Sequence, residues 1–381
     1  MEEKTIMSRR KGTARLWFWV AWFIPCALHA EDTRVSWQVE WEKTLLAAKK
    51  EEKIVVGIPS SAELRKEIEA AFNRRFGLNM ELMPARGPQN ANRIASEYRA
   101  GVRYFDALIG GTGTALPLAQ GGMLAPLEPY MILPEVKDPK NWWGGHIWDD
   151  NKSTNQFIYS FQAYSNDDLW YNSSLAKPQE LKSYDDLLNP KWKGKIGFLD
   201  PRTPGSGYAI WTSLYRIKGP DYLRRLARQE IMVDVNQRQL AESLAKGKIA
   251  LSLGITSYTF QPFIDSGLPL KSLPPFKEGN YVTMGSGGLS VVKNSAHPNA
   301  AKIFVNWFLG KEGQEIFGRT MTQATRRLDV ETRWLQNHGV QAAKDVLSSM
   351  ESFHKLRSHL EDRVTSEERS LAQKLAEELL K

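Results

Sequence analysis

Three short loops rich in small hydroxyl residues and glycine could bind a ligand. Ser60 and Ser61 follow one predicted apolar strand, and Thr112 and Thr114 follow a later one. The third loop, residues 202–207, leads into a predicted helix. Backbone N–H groups at a helix start have no intrahelical partner and favour anions. A single cluster of this kind is usually only a turn, so the recurrence of such loops after successive strands is what indicates a binding site.

The third loop also carries a charged side chain. Arg202 could make a bidentate contact with a carboxylate or phosphate, or it could form a surface salt bridge. Ser206 and Gly207, at the start of the following helix, would add N–H donors. Tyr258 lies in a loop after another predicted strand, where its ring could cap or stack on a ligand. We therefore include these four residues in the predicted ligand-binding set.

The motifs of common enzymes are missing from the sequence. Among the six histidines, His354 and His359 are five residues apart, whereas two ligands on one helical face are typically four apart. Ser206 and Ser286 lie in G-S-G contexts, but neither completes a G-x-S-x-G nucleophile motif. The glycine run at 110–113 lacks the dinucleotide fingerprint, and there is no phosphate-binding P-loop. The sequence therefore predicts no catalytic residue, cofactor or metal site, with a secreted enzyme left open as an alternative.

The N-terminus has the order of a secretory signal peptide. A basic segment that ends at Arg15 is followed by an apolar run from Leu16 and by small residues up to Ala30. The apolar run is shorter than the roughly 20 residues that a membrane span needs. Cys26 raises the alternative of a lipoprotein, but Pro25 is a poor fit for a lipid-attachment site. The sequence therefore predicts export, and a mature chain without cysteine if cleavage follows Ala30.

Length and composition predict a soluble protein of two domains. The chain has 381 residues, of which 42% are hydrophobic and 25% charged. Its formal net charge of +8 includes the basic leader, so the remainder is only mildly basic. Nucleic-acid binding would require basic residues concentrated on one face, and we predict no such partner. Strands and helices alternate from residue 54 onwards, which predicts parallel strands with helices on both faces and ligands at the carboxyl ends of the strands.

Two motifs carry a resemblance to a known family. The sequence DLLNPKWKGKI at 186–196, followed by DPRTPGSG at 200–207, resembles the extracellular solute-binding proteins of ABC importers, in the branch that includes ferric-ion binders. The resemblance covers about residues 35–330. It implies an α/β, two-lobed type II periplasmic-binding fold in which each lobe is a mixed, mainly parallel sheet flanked by helices. Two crossing strands would join the lobes as a hinge, the first crossing at 157–170 and the return crossing at 281–293.

The resemblance also implies lobes that are discontinuous in sequence. We expect a signal peptide at 1–30, lobe 1 at 31–162 and 286–318, and lobe 2 at 163–285. The segment 319–381 is helical by its pattern from residue 333 onwards, and we expect it to pack mainly on lobe 2.

The implied function is the capture of a small solute between the lobes and its delivery to an ABC permease in the inner membrane, by a monomer in the periplasm. Ferric binders typically supply two adjacent tyrosines from the second lobe, whereas Tyr258 stands between Ser257 and Thr259. This departure favours a polar or anionic organic solute, with ferric ion still possible. The alternatives are a secreted enzyme that uses the same cleft and a sensor or interaction module that acts through the C-terminal helices.

Overall fold

The structure is a computed structural model that describes residues 35–150, 156–166, 169–203, 205–273, 276–278, 282–356 and 366–380. The predicted signal peptide lies outside these residues. All the elements below belong to one compact unit that begins at Ser36. The strands are, in chain order, β1 Lys53–Pro59, β2 Asn79–Ala85, β3 Ala107–Gly110, β4 Leu124–Ala125, β5 Tyr159–Ser160, β6 Tyr164–Asn166, β7 Leu169–Asn172, β8 Ile196–Leu199, β9 Met232–Asp234, β10 Leu251–Leu253, β11 Leu270–Ser272, β12 Val282–Thr283, β13 Gly288–Val292 and β14 Val340–Ala342.

Helices flank these strands, and short 3₁₀ turns connect several of them. The helices are, in chain order, α1 Ser36–Glu51, α2 Ala62–Phe76, α3 Gly87–Arg99, α4 Thr112–Gln120, α5 Pro134–Lys137, α6 Ser206–Lys218, α7 Pro220–Ala227, α8 Gln237–Ala245, α9 Gln261–Asp265, α10 Pro298–Leu309, α11 Lys311–Met321, α12 Ala343–Val346, α13 Met350–Leu356 and α14 Ser366–Leu379. No helix of the described chain is long and apolar enough to cross a membrane.

Two separate mixed sheets define the two lobes. The sheet of lobe 1 has the order β2-β1-β3-β13-β4, and β5 also pairs with β13. In it, β1 is parallel to β2 and β3, whereas β13 is antiparallel to its partners. The sheet of lobe 2 has the order β11-β7-β10-β8-β9, with β8 parallel to β9 and β10. Because β13 returns to the first sheet after the whole second sheet, lobe 1 is discontinuous in sequence.

The local sequence explains why the elements of lobe 1 form where they do. Helix α2 buries Leu64, Ile68 and Phe72 at helical spacing against the core of this lobe. The side chain of Ser61 caps its start, and Gly77 adopts a left-handed conformation with φ of 66° at its end. The spacing of its apolar residues and its two caps therefore account for both the position and the length of α2.

The hinge contains one strand more than the sequence predicts. The two crossing strands that the resemblance implies are β6, on the first crossing, and β12, on the return crossing, and they pair antiparallel. Strand β14, from the C-terminal segment, pairs with the other side of β6. The prediction of a helical pattern from residue 333 onwards was wrong here, because Val340 and Ala342 are buried with Gln341 between them, and three residues are too few for a strand pattern to stand out.

The C-terminal segment divides its contacts, rather than packing mainly on lobe 2 as the sequence predicts. Helix α14 buries Ala372, Leu375 and Ala376 in the core of lobe 2. The ring of Phe353, on α13, instead lies 5.4 Å from that of Trp143, in the irregular stretch before β5. Strand β14 fixes the middle of this segment to the hinge sheet, whereas α14 packs on lobe 2.

Candidate functional site

The predicted hydroxyl residues of lobe 1 lie at one edge of its sheet. Strands β1 and β3 are parallel neighbours, so the loops that follow their carboxyl ends are adjacent. Ser60 is exposed, Ser61 and Thr114 are half-buried, and Thr112 is buried. The structure therefore brings these four predicted residues to the same edge.

Two of these hydroxyl groups already have partners in the protein. The hydroxyl of Ser61 accepts a hydrogen bond of 3.1 Å from the backbone N–H of Leu64, which caps α2. The hydroxyl of Thr112 donates to Asp149 Oδ2 at 3.3 Å. Ser61 and Thr112 thus support the edge, while the exposed Ser60 has no comparable structural bond among the described contacts.

Asn90, which the sequence analysis missed, fastens the neighbouring strand ends. Its buried side-chain amide donates to the carbonyl of Ile58 at 3.0 Å and to that of Met83 at 3.2 Å. These carbonyls belong to β1 and β2, so one side chain holds the ends of both strands. Its position after the Gly87-Pro88 pair gives no sequence signal of this role.

The return crossing also reaches this edge. A Cβ added at Gly111 would lie 2.7 Å from the carbonyl oxygen of Gly285, so the two backbones are in direct contact. The backbone N–H of Ser286 donates to Gln323 Oε1 at 3.2 Å. The glycine-rich turn before β13 therefore lies at the same edge of the sheet, which the sequence did not indicate.

The edge of lobe 2 requires glycine because its loops touch through their backbones. The hydroxyl of Ser206 donates to the carbonyl of Gly254 at 2.6 Å. A Cβ added at Gly207 would lie only 2.1 Å from the carbonyl oxygen of Leu199. Gly254 has φ of 84°, a conformation that favours glycine, and packs on the Cα of Gly207. The loops after β8 and β10 therefore form one continuous surface.

Gln237 joins the third loop of lobe 2 to this surface. Its Oε1 accepts hydrogen bonds from the backbone N–H of Thr256 at 2.9 Å, from the Thr256 hydroxyl at 2.6 Å and from the Thr259 hydroxyl at 3.2 Å. Gln237 opens α8, directly after β9. Sequence reasoning missed this residue, because a glutamine at a helix start carries no distinctive signal.

Tyr258 connects the two lobes. It belongs to the loop after β10 in lobe 2, yet it packs against the hydrophobic core of lobe 1. Burial raises the pKa of its phenol, with a smaller opposing effect from a hydrogen bond with Thr256. The ring is therefore a neutral, half-buried group that bridges the two lobes.

Arg202 forms the salt bridge that the sequence left as one of two possibilities. Its Nε and Nη2 donate to the two carboxylate oxygens of Asp200 at 2.9 and 2.8 Å, and its Nη1 donates to the carbonyl of Leu380 at 2.6 Å. The Asp200 hydrogen bond raises the pKa of Arg202 further. The guanidinium is thus engaged by two partners within the protein, although its side chain remains 37% exposed.

Two arginines that are adjacent in sequence, Arg326 and Arg327, are buried and have structural partners. Arg326 donates to the carbonyls of Ser160, Trp143 and Gly145, the last two at 2.6 and 2.7 Å. Arg327 donates to the carbonyl of Leu309 and forms an ion pair with Asp329. Both side chains therefore bind backbone carbonyl groups of lobe 1.

An aspartate–histidine pair lies at the opposite edge of lobe 1. The ring of His297 is 2.9 Å from the carboxylate of Asp106, which also accepts from the backbone of Val55. Asp106 precedes β3, so the pair is at the amino end of the strands. Nothing in the described part of the chain hydrogen-bonds this ring to a hydroxyl nucleophile, and the described residues contain no group of three His, Cys, Asp or Glu placed to hold a metal.

Comparison with known proteins identifies the family. Residues 58–315, more than half of the chain, match the model of the bacterial extracellular solute-binding proteins. The chain is 26% identical over 215 residues to an uncharacterised protein of Haemophilus influenzae, a match that covers 54% of this chain and 58% of that protein. It is 23% identical to an Fe(3+)-binding periplasmic protein of Serratia marcescens, over 71% of this chain and 77% of the relative.

The solved structures agree on the fold. The periplasmic binding protein AfuA from Actinobacillus pleuropneumoniae, with fructose-6-phosphate bound, superposes with a TM-score of 0.59 at 20% identity, over 74% of this chain and 88% of AfuA. At this identity the likeness concerns the fold alone. Together with the two lobes and their crossing strands, the family match leads to a plain conclusion: the chain belongs to the bacterial extracellular solute-binding proteins.

Proposed function

We propose that this protein is the periplasmic, monomeric solute-binding component of an ABC importer and that it delivers a small polar or anionic organic solute to a membrane permease. The observation that carries the proposal is the pairing of two ligand-type edges, one on each lobe, with Tyr258 reaching across between them. The signal-peptide pattern of the leader and the periplasmic names of relatives support the location. The family of solute-binding proteins is not one of enzymes, and we propose no turnover.

An anionic group suits the chemistry of both edges. The N-terminus of α4 lies at the edge of lobe 1, and that of α6 lies at the edge of lobe 2. Each offers unpaired backbone N–H groups and the positive end of a helix dipole. Binding of a sugar phosphate by AfuA is consistent with such a site.

Ferric ion is the second candidate, because the Serratia relative is named an Fe(3+)-binding protein. A phenolate ligand for Fe³⁺ must lose its proton. The raised pKa of Tyr258 opposes that loss in the solute-free protein. We therefore place a phosphorylated or carboxylated organic solute first.

Ligand would stabilise the closed arrangement only to the extent that it binds that state more tightly than the open one. With loops from both lobes in contact with the solute, opening would break the contacts that one lobe makes. The permease would then distinguish loaded from empty protein by the relative position of the lobes.

The test is a thermal-shift series on residues 31–381 with fructose-6-phosphate, inorganic phosphate, fructose, citrate, Fe³⁺ alone and Fe³⁺ with citrate. A ligand of the native state at 100 times its Kd adds about 2.7 kcal/mol of stability. We expect the phosphorylated or carboxylated compounds to raise Tm and fructose to have no effect. A shift with Fe³⁺ alone would contradict the preference for an organic solute, and conversion of any bound compound would favour the enzyme alternative.

Position 113 offers a matched pair of variants. Gly113 is exposed in the first turn of α4, and a Cβ added there meets no atom within 4 Å. Gly113→Asp introduces a negative charge that suits the helix start but repels an anion. We expect it to abolish the shift with phosphorylated compounds, while Gly113→Ala retains it. Equal shifts in both variants would exclude an anion at this edge.

A further inference from the structure

We propose that the C-terminal helix α14 controls solute binding, and that Arg202 is the positioning residue that couples this helix to the Arg202 loop. The Arg202 loop comprises residues 200–207, of which 204 is not described. The inference rests on the proposed function, because it concerns the lobe 2 side of the same site. It assigns to Arg202 a role that needs no contact with the solute.

The guanidinium of Arg202 holds two parts of the chain that are distant in sequence. One side of its planar fork binds both oxygens of Asp200, which is only 5% exposed. The remaining nitrogen, Nη1, binds the carbonyl oxygen of Leu380 at 2.6 Å. Asp200 is itself fixed, since its backbone N–H donates to the carbonyl of Asp234 at 2.9 Å. The end of the chain is therefore connected through one side chain to the ends of β8 and β9.

The contact is favourable for the end of a helix. The last carbonyl groups of an α-helix have no N–H partner within the helix and carry partial negative charge. A guanidinium beside them supplies both a donor and a positive charge. Leu380 directly follows α14, so the side chain of Arg202 caps the C-terminal end of that helix.

A second contact connects α14 to the helix that begins at the site. The indole N–H of Trp211, which is fully buried in α6, donates to the carbonyl of Ala372 at 2.9 Å. The apolar face of α14 covers the same region through Leu375 and Ala376. Helix α14 therefore contacts both the Arg202 loop and the helix whose N-terminal N–H groups lie at the solute edge.

The tight packing at Gly207 transmits any movement of the loop. A Cβ there would lie 2.1 Å from the Leu199 carbonyl, so the start of α6 rests directly on the end of β8. If α14 leaves lobe 2, Arg202 loses its second partner and the loop gains conformational freedom. Solute binding must then supply the ordering cost of the loop, which weakens affinity.

The chain offers a variant that undocks α14 without altering the loop. Ala376 is fully buried against lobe 2. Ala376→Glu places a charge in this interface, which is costly without a partner. The matched control is Glu378→Ala on the same helix, which removes only an exposed ion pair with Arg224. Neither position belongs to the candidate site.

Amide hydrogen exchange of the solute-free, mature full-length protein provides the first measurement. In Ala376→Glu we expect exchange over residues 200–209 to rise about tenfold together with that of α14, whereas Glu378→Ala stays at the level of the parent protein. Faster exchange of α14 with unchanged exchange of the Arg202 loop would overturn the coupling. Because no ligand is present, this result is independent of whether the proposed function is correct.

Affinity for fructose-6-phosphate, or for whichever compound of the thermal-shift series binds the parent protein, provides the second measurement. We expect Ala376→Glu to weaken Kd about tenfold and Glu378→Ala to leave it unchanged. Failure of the parent protein to bind any probe would contradict the proposed function, while the exchange result would still decide the coupling. Unchanged affinity in an Ala376→Glu protein with an undocked α14 would refute the proposal that α14 controls solute binding.

Arg202→Lys separates positioning from direct binding. Lysine keeps a positive charge for a solute, but its single ammonium cannot hold Asp200 and Leu380 in the same geometry. We expect faster amide exchange in the last turn of α14 in the solute-free protein, an effect that a purely ligand-binding arginine would not produce. Unchanged exchange there would exclude the positioning role.

Discussion

At Gly207, the lobe 2 edge leaves no room for a side chain. The carbonyl oxygen of Leu199 occupies the space that a Cβ would need. The distance of 2.1 Å involves rigid backbone on both sides, so neither group can move away cheaply. The glycine is therefore required by contact between loops and not by its conformation, since its helical backbone is ordinary.

We expect Gly207→Ala to lower the free energy of unfolding by about 1–3 kcal/mol, the range for overpacking at a tight contact. Gly113→Ala is the control, because it is also in a first helical turn but faces open space. That variant should be neutral or gain up to about 1 kcal/mol from helix propensity. Urea unfolding of the two variants measures the difference, and equal midpoints would show that the contact at Gly207 is not rigid.

At the level of elements, sequence patterns predicted those parts of the molecule that depend on local periodicity. Helix α2, with Leu64, Ile68 and Phe72 on one face, and the buried strand β1 were recognisable for this reason. Strand β14 was not, because its existence depends on a partner strand far away in sequence. The hinge strands were expected only through the resemblance.

The candidate site was likewise predictable only where local sequence patterns determine it. Small residues after strands predicted the two edges, because carboxyl ends of parallel strands meet. The roles of Asn90 and Gln237 could not be predicted, since each depends on carbonyls or hydroxyls brought near by folding. The contact of Arg202 with the Leu380 carbonyl could not be predicted either, because the two residues are 178 positions apart in sequence.

Docking of α14 should depend on pH through Asp200. Burial alone would raise the pKa of this carboxyl, but hydrogen bonds from Arg202 outweigh burial and hold the pKa below its ordinary value. The pair therefore stabilises the protein above the unfolded pKa of about 3.9, and this contribution is lost as the pH falls through the lower, folded value.

We expect Asp200→Asn to be less stable than the parent protein by about 1 kcal/mol at pH 6, a modest value because Arg202 is partly exposed to solvent. The gap should narrow as the pH falls below the unfolded pKa of about 3.9 and through the lower folded pKa, where the parent carboxyl itself becomes protonated. Urea midpoints of both proteins between pH 6 and pH 3 measure it, and the other carboxyl groups cancel in the comparison. A gap that is constant with pH would contradict the assigned ion pair.

At the scale of the whole molecule, Tyr258 should favour the closed arrangement even without solute, because its ring is packed on the core of the opposite lobe. We expect Tyr258→Ala to increase the radius of gyration of the solute-free protein in small-angle X-ray scattering. Tyr258→Phe keeps the ring and should leave the radius unchanged. Identical scattering from all three proteins would show that the ring does not hold the lobes together.

The third strand of the hinge has a mechanical consequence. Two crossing strands alone would hold the lobes together but would allow them both to bend and to twist relative to each other. A sheet of three hydrogen-bonded strands, β12-β6-β14, resists torsion more than bending across its strands, because twist would shear two ladders at once. We therefore expect the lobes to rotate mainly about one axis, so that each closure brings the loops of the two edges back to the same relative position.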